Sequence, residues 1–373
     1  MSATEPGPPA VRLLPPYPEP AWLGPESELA LRVELPLAAP PTEVAAWLGP
    51  EVRVAADSGR LVLLGTLAAL RAAAATREPA TALLAETLSR ALAALGSPAP
   101  PLRLQGESWE FGQRTYVLGV VNVTPDSFSG DGVGGDPGAA LARARELVAE
   151  GADALDLGGE STRPGHTPVT AEQELARVLP ALRLIAAALP VPVFVDTSKA
   201  VVAEAVLGEG AAAINDVWGL RRDPGMAEVV AAAGVPVICM HNQDGNEYQD
   251  LVGEVLACFR ESLARAGQAG IPAQQVVLDP GLGFGKGHAQ NLEVLRRLPE
   301  LRVLGPSLLV GPSRKSLIGW LLDERPPGER LLGTAAVCAW AVAHGADWVR
   351  VHDVAAIRDV VRVTDALARR PSG

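Results

Sequence analysis

Eight short apolar runs, each followed by a polar cluster and then by a helical segment, most constrain what this chain can fold into. They occupy residues 117–121, 154–157, 193–195, 212–214, 235–240, 276–278, 307–310 and 348–351. Between them lie amphipathic stretches, among them 139–150, 171–189, 246–267 and 329–344, in which apolar residues recur at helical spacing. Eight strand–helix units over residues 106–373 match a TIM (β/α)8 barrel, for which about 250 residues is typical. A doubly wound open sheet, the rival, needs fewer strands or a longer chain. The fold class expected is therefore α/β, a TIM barrel preceded by an extra domain.

Residues 1–105 have a different texture. They open on MSATEPGPPAVRLLPPYPEP, too poor in periodic apolar positions to pack firmly and expected to be extended or mobile. Strand-like runs follow at 31–35 (LRVEL) and 61–64 (LVLL), with a helix between them, and residues 80–95 have helical spacing. This reads as a small α/β or α+β domain of unknown role. SPAPP at 97–101 is the expected linker to the barrel at 106–373.

Charge and cysteine usage exclude several functions. With 32 basic and 43 acidic residues the net charge is -11, which argues against a protein that neutralises nucleic-acid phosphates. Cys239, Cys258 and Cys338 are scattered and form no CxxC pair, so neither a disulfide framework nor a zinc site is indicated. No apolar run reaches the length of a membrane span and no leader pattern stands at the start, so a cytoplasmic location with no membrane partner is expected. GLGFGKG lacks the GxxxxGK[ST] spacing of a P-loop.

In a TIM barrel the residues after each strand share one mouth. Here they are NVTPDSF, DLGGESTRPG, DTSK, NDVWG, HNQDG, DPGLGFGKG and GPSRKS, with Arg350 and His352 from the eighth run. Helix capping accounts for part of the Asp, Ser, Thr and Asn content. It does not account for Arg163, Arg314, Lys315, Arg350 and His352, because cations are disfavoured at helix starts; they imply an anion, and such barrels often hold phosphate near strands 7 and 8. Asn122 ends strand 1 beside strand 8, where its amide oxygen can reach a magnesium ion bridging phosphate oxygens. Asp196, Asp279 and Asn215 form a second, acidic group that suits a flat, donor-rich heterocycle such as a 2-amino-4-oxo pyrimidine ring. The alternative makes these carboxylates caps, or pairs them with Lys199 and Lys315.

NVTPDSF, DLGGESTRPG, VDTSK, INDVWG, DPGLGFGK, GPSRKS and RVHDV, in this order across 106–369, together resemble the dihydropteroate synthase family. The resemblance implies a magnesium-dependent transferase that joins 6-hydroxymethyl-7,8-dihydropterin pyrophosphate to p-aminobenzoate, giving 7,8-dihydropteroate and pyrophosphate in folate biosynthesis. It implies a pterin pocket of Asp196, Asn215, Asp279 and Lys315 walled by Met240, Phe284 and Gly311. Asn122, Thr162, Arg163, Arg350 and His352 would hold the pyrophosphate, with Asn122 also on the metal. Phe128, Pro164 and Ser316 would border p-aminobenzoate. Asp196, Lys315, Arg163 and Asp126 carry the chemistry on this reading, with loops around Asp126–Asp131 and Ser161–Arg163 closing over the site.

This chain reads SFSGDG where family members commonly read SFSDGG, which displaces Asp131 by one place. HNQDG after strand 5 is also a variant, leaving His241 as core or wall, and Lys199 and Lys286 as structural or steering. Two rival readings are a pterin-binding methyltransferase acting on a methylated reduced folate, and a non-catalytic folate-binding protein. The apolar later helices, with Trp320 and Trp340, suggest a homodimer.

Overall fold

The computed structural model describes residues 10–13, 30–36, 41–48, 51–57, 60–75, 82–124, 134–160 and 169–369. The chain divides into two compact units, Met1–Pro98 with Arg296–Gly305, and Ala99–Leu295 with Pro306–Gly373.

In the first unit, β1 (Ala10–Leu13), β2 (Ala30–Pro36), β3 (Arg53–Asp57) and β4 (Arg60–Thr66) form an antiparallel sheet in the order β1-β2-β4-β3. Helices α1 (Pro41–Leu48), α2 (Leu67–Ala75) and α3 (Ala82–Gly96) complete it. Strand alternation puts Leu61 and Leu63 on one face, and helical spacing puts Leu84, Leu88 and Leu92 on one stripe. All five are buried in one core with Val33, Val44 and Leu70. Val303 packs on that core from a 3-10 helix, Leu298–Leu304, and Arg302 donates to the Ser97 carbonyl at 2.9 Å.

The second unit starts with a hairpin, β5 (Leu102–Leu104) and β6 (Glu107–Trp109), turned by Gln105 and Gly106, whose positive φ values of 51° and 84° match the tight turns that hairpins favour. Then come β7 (Tyr116–Asn122), β8 (Ala154–Gly158), β9 (Val193–Asp196), β10 (Ala213–Asp216), β11 (Val237–Met240), β12 (Val276–Asp279), β13 (Ser307–Val310) and β14 (Trp348–Val351). All pair in parallel, and β14 pairs back onto β7 to close the barrel. The alternating helices are α4 (Pro137–Glu150), α5 (Ala171–Ala188), α6 (Ala200–Gly208), α7 (Met226–Ala233), α8 (Leu251–Ala269), α9 (His288–Arg296), α10 (Ser316–Leu321), α11 (Leu331–Ala343) and α12 (Val354–Ala368). The eight apolar runs are the eight strands of this closed barrel. One helix begins later than its periodicity suggested: α8 starts at Leu251, where the Asp250 side chain accepts from the Gly253 N–H and ends the preceding loop.

The interior is layered. Leu118, Ala154, Phe194, Ala213, Ile238, Val277, Leu309 and Trp348, one from each strand, are buried in one cluster with Leu102, Leu104 and Phe111 of the hairpin region. Trp109 stacks on Trp348 with ring centroids 5.3 Å apart, and Tyr116, Phe111 and Phe194 surround the same indole. Apolar side chains thus plug the N-terminal end of the barrel. Side chains in a strand return to the same face every second residue. Two places further along seven of these strands stand Asp156, Asp196, Asn215, Met240, Asp279, Gly311 and Arg350. The sequence therefore changes from an apolar floor to a charged layer within one turn of the pleat.

Candidate active site

The charged layer is tied together by Arg350. Its Nε donates to Asp156 Oδ2, and its Nη2 lies 3.4 Å from Asp196 Oδ2. Asn215 Nδ2 donates to the same Asp156 oxygen at 3.1 Å. Strand register accounts for these contacts, since Asn215 pairs with Asp196 in the sheet and Gly158 pairs with Asp196 on the other side. On the far side of the mouth, Asp279 Oδ1 accepts from the Gly281 N–H at 2.7 Å. Gly311 leaves space there, because a Cβ at that position would meet Arg350 Cβ at 3.7 Å and Asp279 Oδ2 at 3.9 Å.

Lys315 reaches this group from the loop after β13. Arg314 turns that loop with a left-handed φ of 57°, and it is anchored by two bonds to Asp353, at 3.0 and 2.5 Å, and through its carbonyl by Arg330. The turn aims Lys315 toward the loop after β12: its Nζ donates to the Leu282 carbonyl and sits 4.7 Å from the centre of the Phe284 ring. Arg314 itself is spent on Asp353. That corrects its place among the cations awaiting an anion; the fork geometry of its guanidinium suits a carboxylate bidentately, and Asp353 occupies it.

Burial sets the electrostatics. Desolvation, reinforced by Asp156, pushes the Asp196 carboxyl well above the usual carboxylate range. Desolvation also raises Asp279, opposed by Lys315, the Gly281 N–H and Arg350. Lys315 is brought down to about 8 by burial, against the attraction of Asp279. Among the described residues Asp156 Oδ1 and Asp196 Oδ1 are buried without a hydrogen-bond partner. A buried acceptor left unpaired costs about 1–3 kcal/mol, so this layer favours a ligand rich in N–H donors.

Arg350 bridges Asp156 and Asp196. Asp156 was missed: DLGG reads as an ordinary strand end, and only the two-residue step from Ala154 marks the side chain as inward. Met240 is buried at the end of β11, in register with Asp279. Phe284 is half-buried, and Ser316 is the exposed first residue of α10. The His352 backbone N–H donates to the Ser313 hydroxyl oxygen at 3.1 Å, and its Nδ1 shares a hydrogen bond with the same hydroxyl at 2.9 Å. Asn122 ends β7, and a Cβ on Gly158 would lie 3.5 Å from its Oδ1 and 3.8 Å from Asp196 Cβ, so the glycine keeps the space between them open. Lys199 is structural: its Nζ donates to Glu160 and, at 2.6 Å, to the buried Glu174. Asp126, Phe128, Asp131, Ser161, Thr162, Arg163 and Pro164 lie outside the described residues.

The chain matches the family model described as pterin binding enzyme over residues 118–352. It is 43% identical over 277 residues to dihydropteroate synthase of Synechocystis sp., covering 72% of this chain and 96% of that one. Dihydropteroate synthase of Clostridium difficile, solved in the presence of pteroic acid, superposes with a TM-score of 0.68 at 46% identity, covering 70% of this chain and all of that one. The Xanthomonas albilineans enzyme, solved with 4-aminobenzoic acid, gives a TM-score of 0.68 at 43% identity over 73% of this chain and all of its own. This likeness across the closed parallel barrel means that the chain belongs to the pterin binding enzymes and, among them, to the dihydropteroate synthases.

Proposed function

We propose that the chain joins 6-hydroxymethyl-7,8-dihydropterin pyrophosphate to p-aminobenzoate, forming 7,8-dihydropteroate and releasing pyrophosphate. The observation that carries this reading is the polar layer above the apolar floor, in which Asp196, Asn215 and Asp279 stand at the strand ends with Arg350 and Lys315 beside them. Asp279 and Asn215 bind the N–H-rich edge of the pterin, while Met240, Gly311 and Phe284 bound its faces. Breaking the C–O bond at the pterin methylene sends the bonding pair to pyrophosphate and leaves positive charge on the pterin. Asp196 and Asp279, held in place before the reaction, favour that charge. The aryl amine then attacks the methylene carbon and gives up its proton to water. No activated nucleophile is needed from the protein.

Asn122, Arg350 and His352 are the described residues on the pyrophosphate side of this reading. Magnesium suits that side, where the hard amide oxygen of Asn122 borders the space that Gly158 leaves open. Magnesium is commonly held by few protein oxygens together with substrate phosphates and water. When bound it supplies positive charge to the departing pyrophosphate. The proposal includes a cytoplasmic homodimer. Exposed apolar side chains on α10, α11 and α12, among them Trp320, Leu332, Trp340 and Leu367, support a self-association face.

The test separates the two halves of the site. Asp279→Asn is expected to weaken equilibrium binding of the dihydropterin pyrophosphate by about tenfold or more, as for one altered member of a buried hydrogen-bonded set. His352→Ala is expected to leave binding of the bare pterin unchanged and to weaken inhibition by pyrophosphate. Equal effects of the two changes on both ligands contradict the arrangement.

A further inference from the structure

The loop after β12, GLGFGKG at 281–287, contains a buried lysine that the reaction above does not use. Lys286 is 9% exposed, and its ammonium has three acceptors: His241 Nδ1 at 2.7 Å, the Phe284 carbonyl at 3.0 Å and the Gly281 carbonyl at 3.2 Å. An ammonium has three protons and no lone pair, so this set consumes it completely and makes His241 Nδ1 an acceptor. The backbone is shaped for this wrapping. Gly281, Gly283 and Gly285 all have positive φ, at 66°, 79° and 55°, and a Cβ on Gly281 would fall 2.0 Å from the His241 carbonyl oxygen.

The inner edge of the loop faces Lys286, and its other groups serve the mouth. Gly281 turns its carbonyl to Lys286 and its N–H to Asp279 Oδ1. Phe284 turns its carbonyl to Lys286 and its ring to Lys315. Between them, Leu282 offers its carbonyl to Lys315. His241, the third acceptor, also donates its backbone N–H to the Asp279 carbonyl at 2.8 Å. Every partner of Lys286 therefore contacts a residue of the pterin pocket, while Lys286 itself is enclosed beneath them. Burial lowers the Lys286 pKa to about 7 against the attraction of Asp279, and the positive charge in turn favours the anionic form of Asp279.

We propose that Lys286 is a positioning residue for pterin recognition: its buried ammonium ties the end of β11 to the loop after β12 and so fixes Asp279, Phe284 and Lys315 relative to the ring, without touching the ligand. This rests on the reading of the mouth as a pterin pocket. The same residues explain why a GxGxGK sequence stands here with no phosphate-loop spacing: the glycines coil around the lysine's own head group.

Lys286→Met removes the charge and the donors while keeping the stem. Tyr248→Phe, the comparison, removes the neutral bond from the Tyr248 hydroxyl to the Gly285 carbonyl (2.6 Å) on the same loop. With the full-length chain, Lys286→Met is expected to raise KM for the dihydropterin pyrophosphate by about tenfold or more and to leave KM for p-aminobenzoate within about twofold. Tyr248→Phe is expected to leave both within about twofold. If Lys286→Met does not fold, His241→Leu, which removes one acceptor, is expected to raise the pterin KM, and His241→Asn, which restores an acceptor near the Nδ1 position, to recover most of the loss. An unchanged pterin KM in Lys286→Met or, where that variant does not fold, in His241→Leu overturns the assignment, as does an equal rise in both KM values, or the same rise in Tyr248→Phe. A wild-type chain without turnover instead overturns the reading of the pocket itself.

Discussion

Asp216 carries a titration that the catalytic reading leaves untouched, and it shows how burial and backbone compete on one side chain. It ends β10 and is nearly inaccessible, and its two oxygens accept from the Trp218 N–H at 2.9 Å and the Leu220 N–H at 2.6 Å. Burial outweighs those bonds and raises its pKa from the ordinary 3.8 to about 6. The folded chain therefore binds this proton more tightly than the unfolded chain, and the stability it contributes at low pH is lost as pH rises through about 6. Asp216→Asn removes the titration. The melting temperature of the wild type relative to this variant is expected to fall between about pH 4 and pH 6 and to level off above; a flat difference across that range contradicts the assignment. Lys315 is the mirror case, a base lowered to about 8 by burial and held near Asp279 by the left-handed turn at Arg314.

Loop glycines set the precision of the mouth at the level of elements. Gly281 and Gly234 share a φ of 66°, yet a side chain on Gly234 meets nothing within 4 Å, whereas one on Gly281 collides with the His241 backbone. Gly234→Ala is expected to cost only the conformational strain, about 1 kcal/mol, with pterin affinity intact. Gly281→Ala is expected to cost about 2 kcal/mol or more and to weaken pterin binding, because Asp279 loses its N–H donor; thermal melts and binding titrations on the two variants check this. The strands were legible because each is an apolar run that ends abruptly in polar residues, and the barrel follows from their number and alternation. The floor-to-mouth layering was equally present in the two-residue step, which would have identified Asp156 beside Asp196 and Asn215. What could not be read was pairing over long separations. That Arg350 shares its guanidinium between Asp156 and Asp196 depends on barrel closure, which sets β14 beside β7 and so two and three strands from β8 and β9. Likewise β1 lies inside the Pro-rich opening, where periodicity is weak, and its four residues pair with Leu31–Glu34 of β2, a partner some twenty residues further along the chain.

The whole molecule combines a barrel of established family with a first unit that carries its own sheet, helices and core. Residues 296–305 join that first unit although they run from the last residue of α9 toward β13, a grouping that only tertiary contacts define. Leu332, 80% exposed on α11, can be changed without opening the core. If the proposed homodimer uses this face, Leu332→Glu leaves the melting curve of the barrel nearly unchanged and lowers the sedimentation coefficient to that of a monomer; an unchanged sedimentation coefficient contradicts the proposed face. Among the described residues no helix is long and apolar enough to cross a membrane. The most direct measurement of the central claim is turnover by the purified full-length chain with magnesium, 6-hydroxymethyl-7,8-dihydropterin pyrophosphate and p-aminobenzoate. The expected result is 7,8-dihydropteroate and pyrophosphate in equal amounts, with a sulfonamide raising KM for p-aminobenzoate and leaving kcat unchanged; a folded chain that binds the pterin pyrophosphate and forms no dihydropteroate contradicts it.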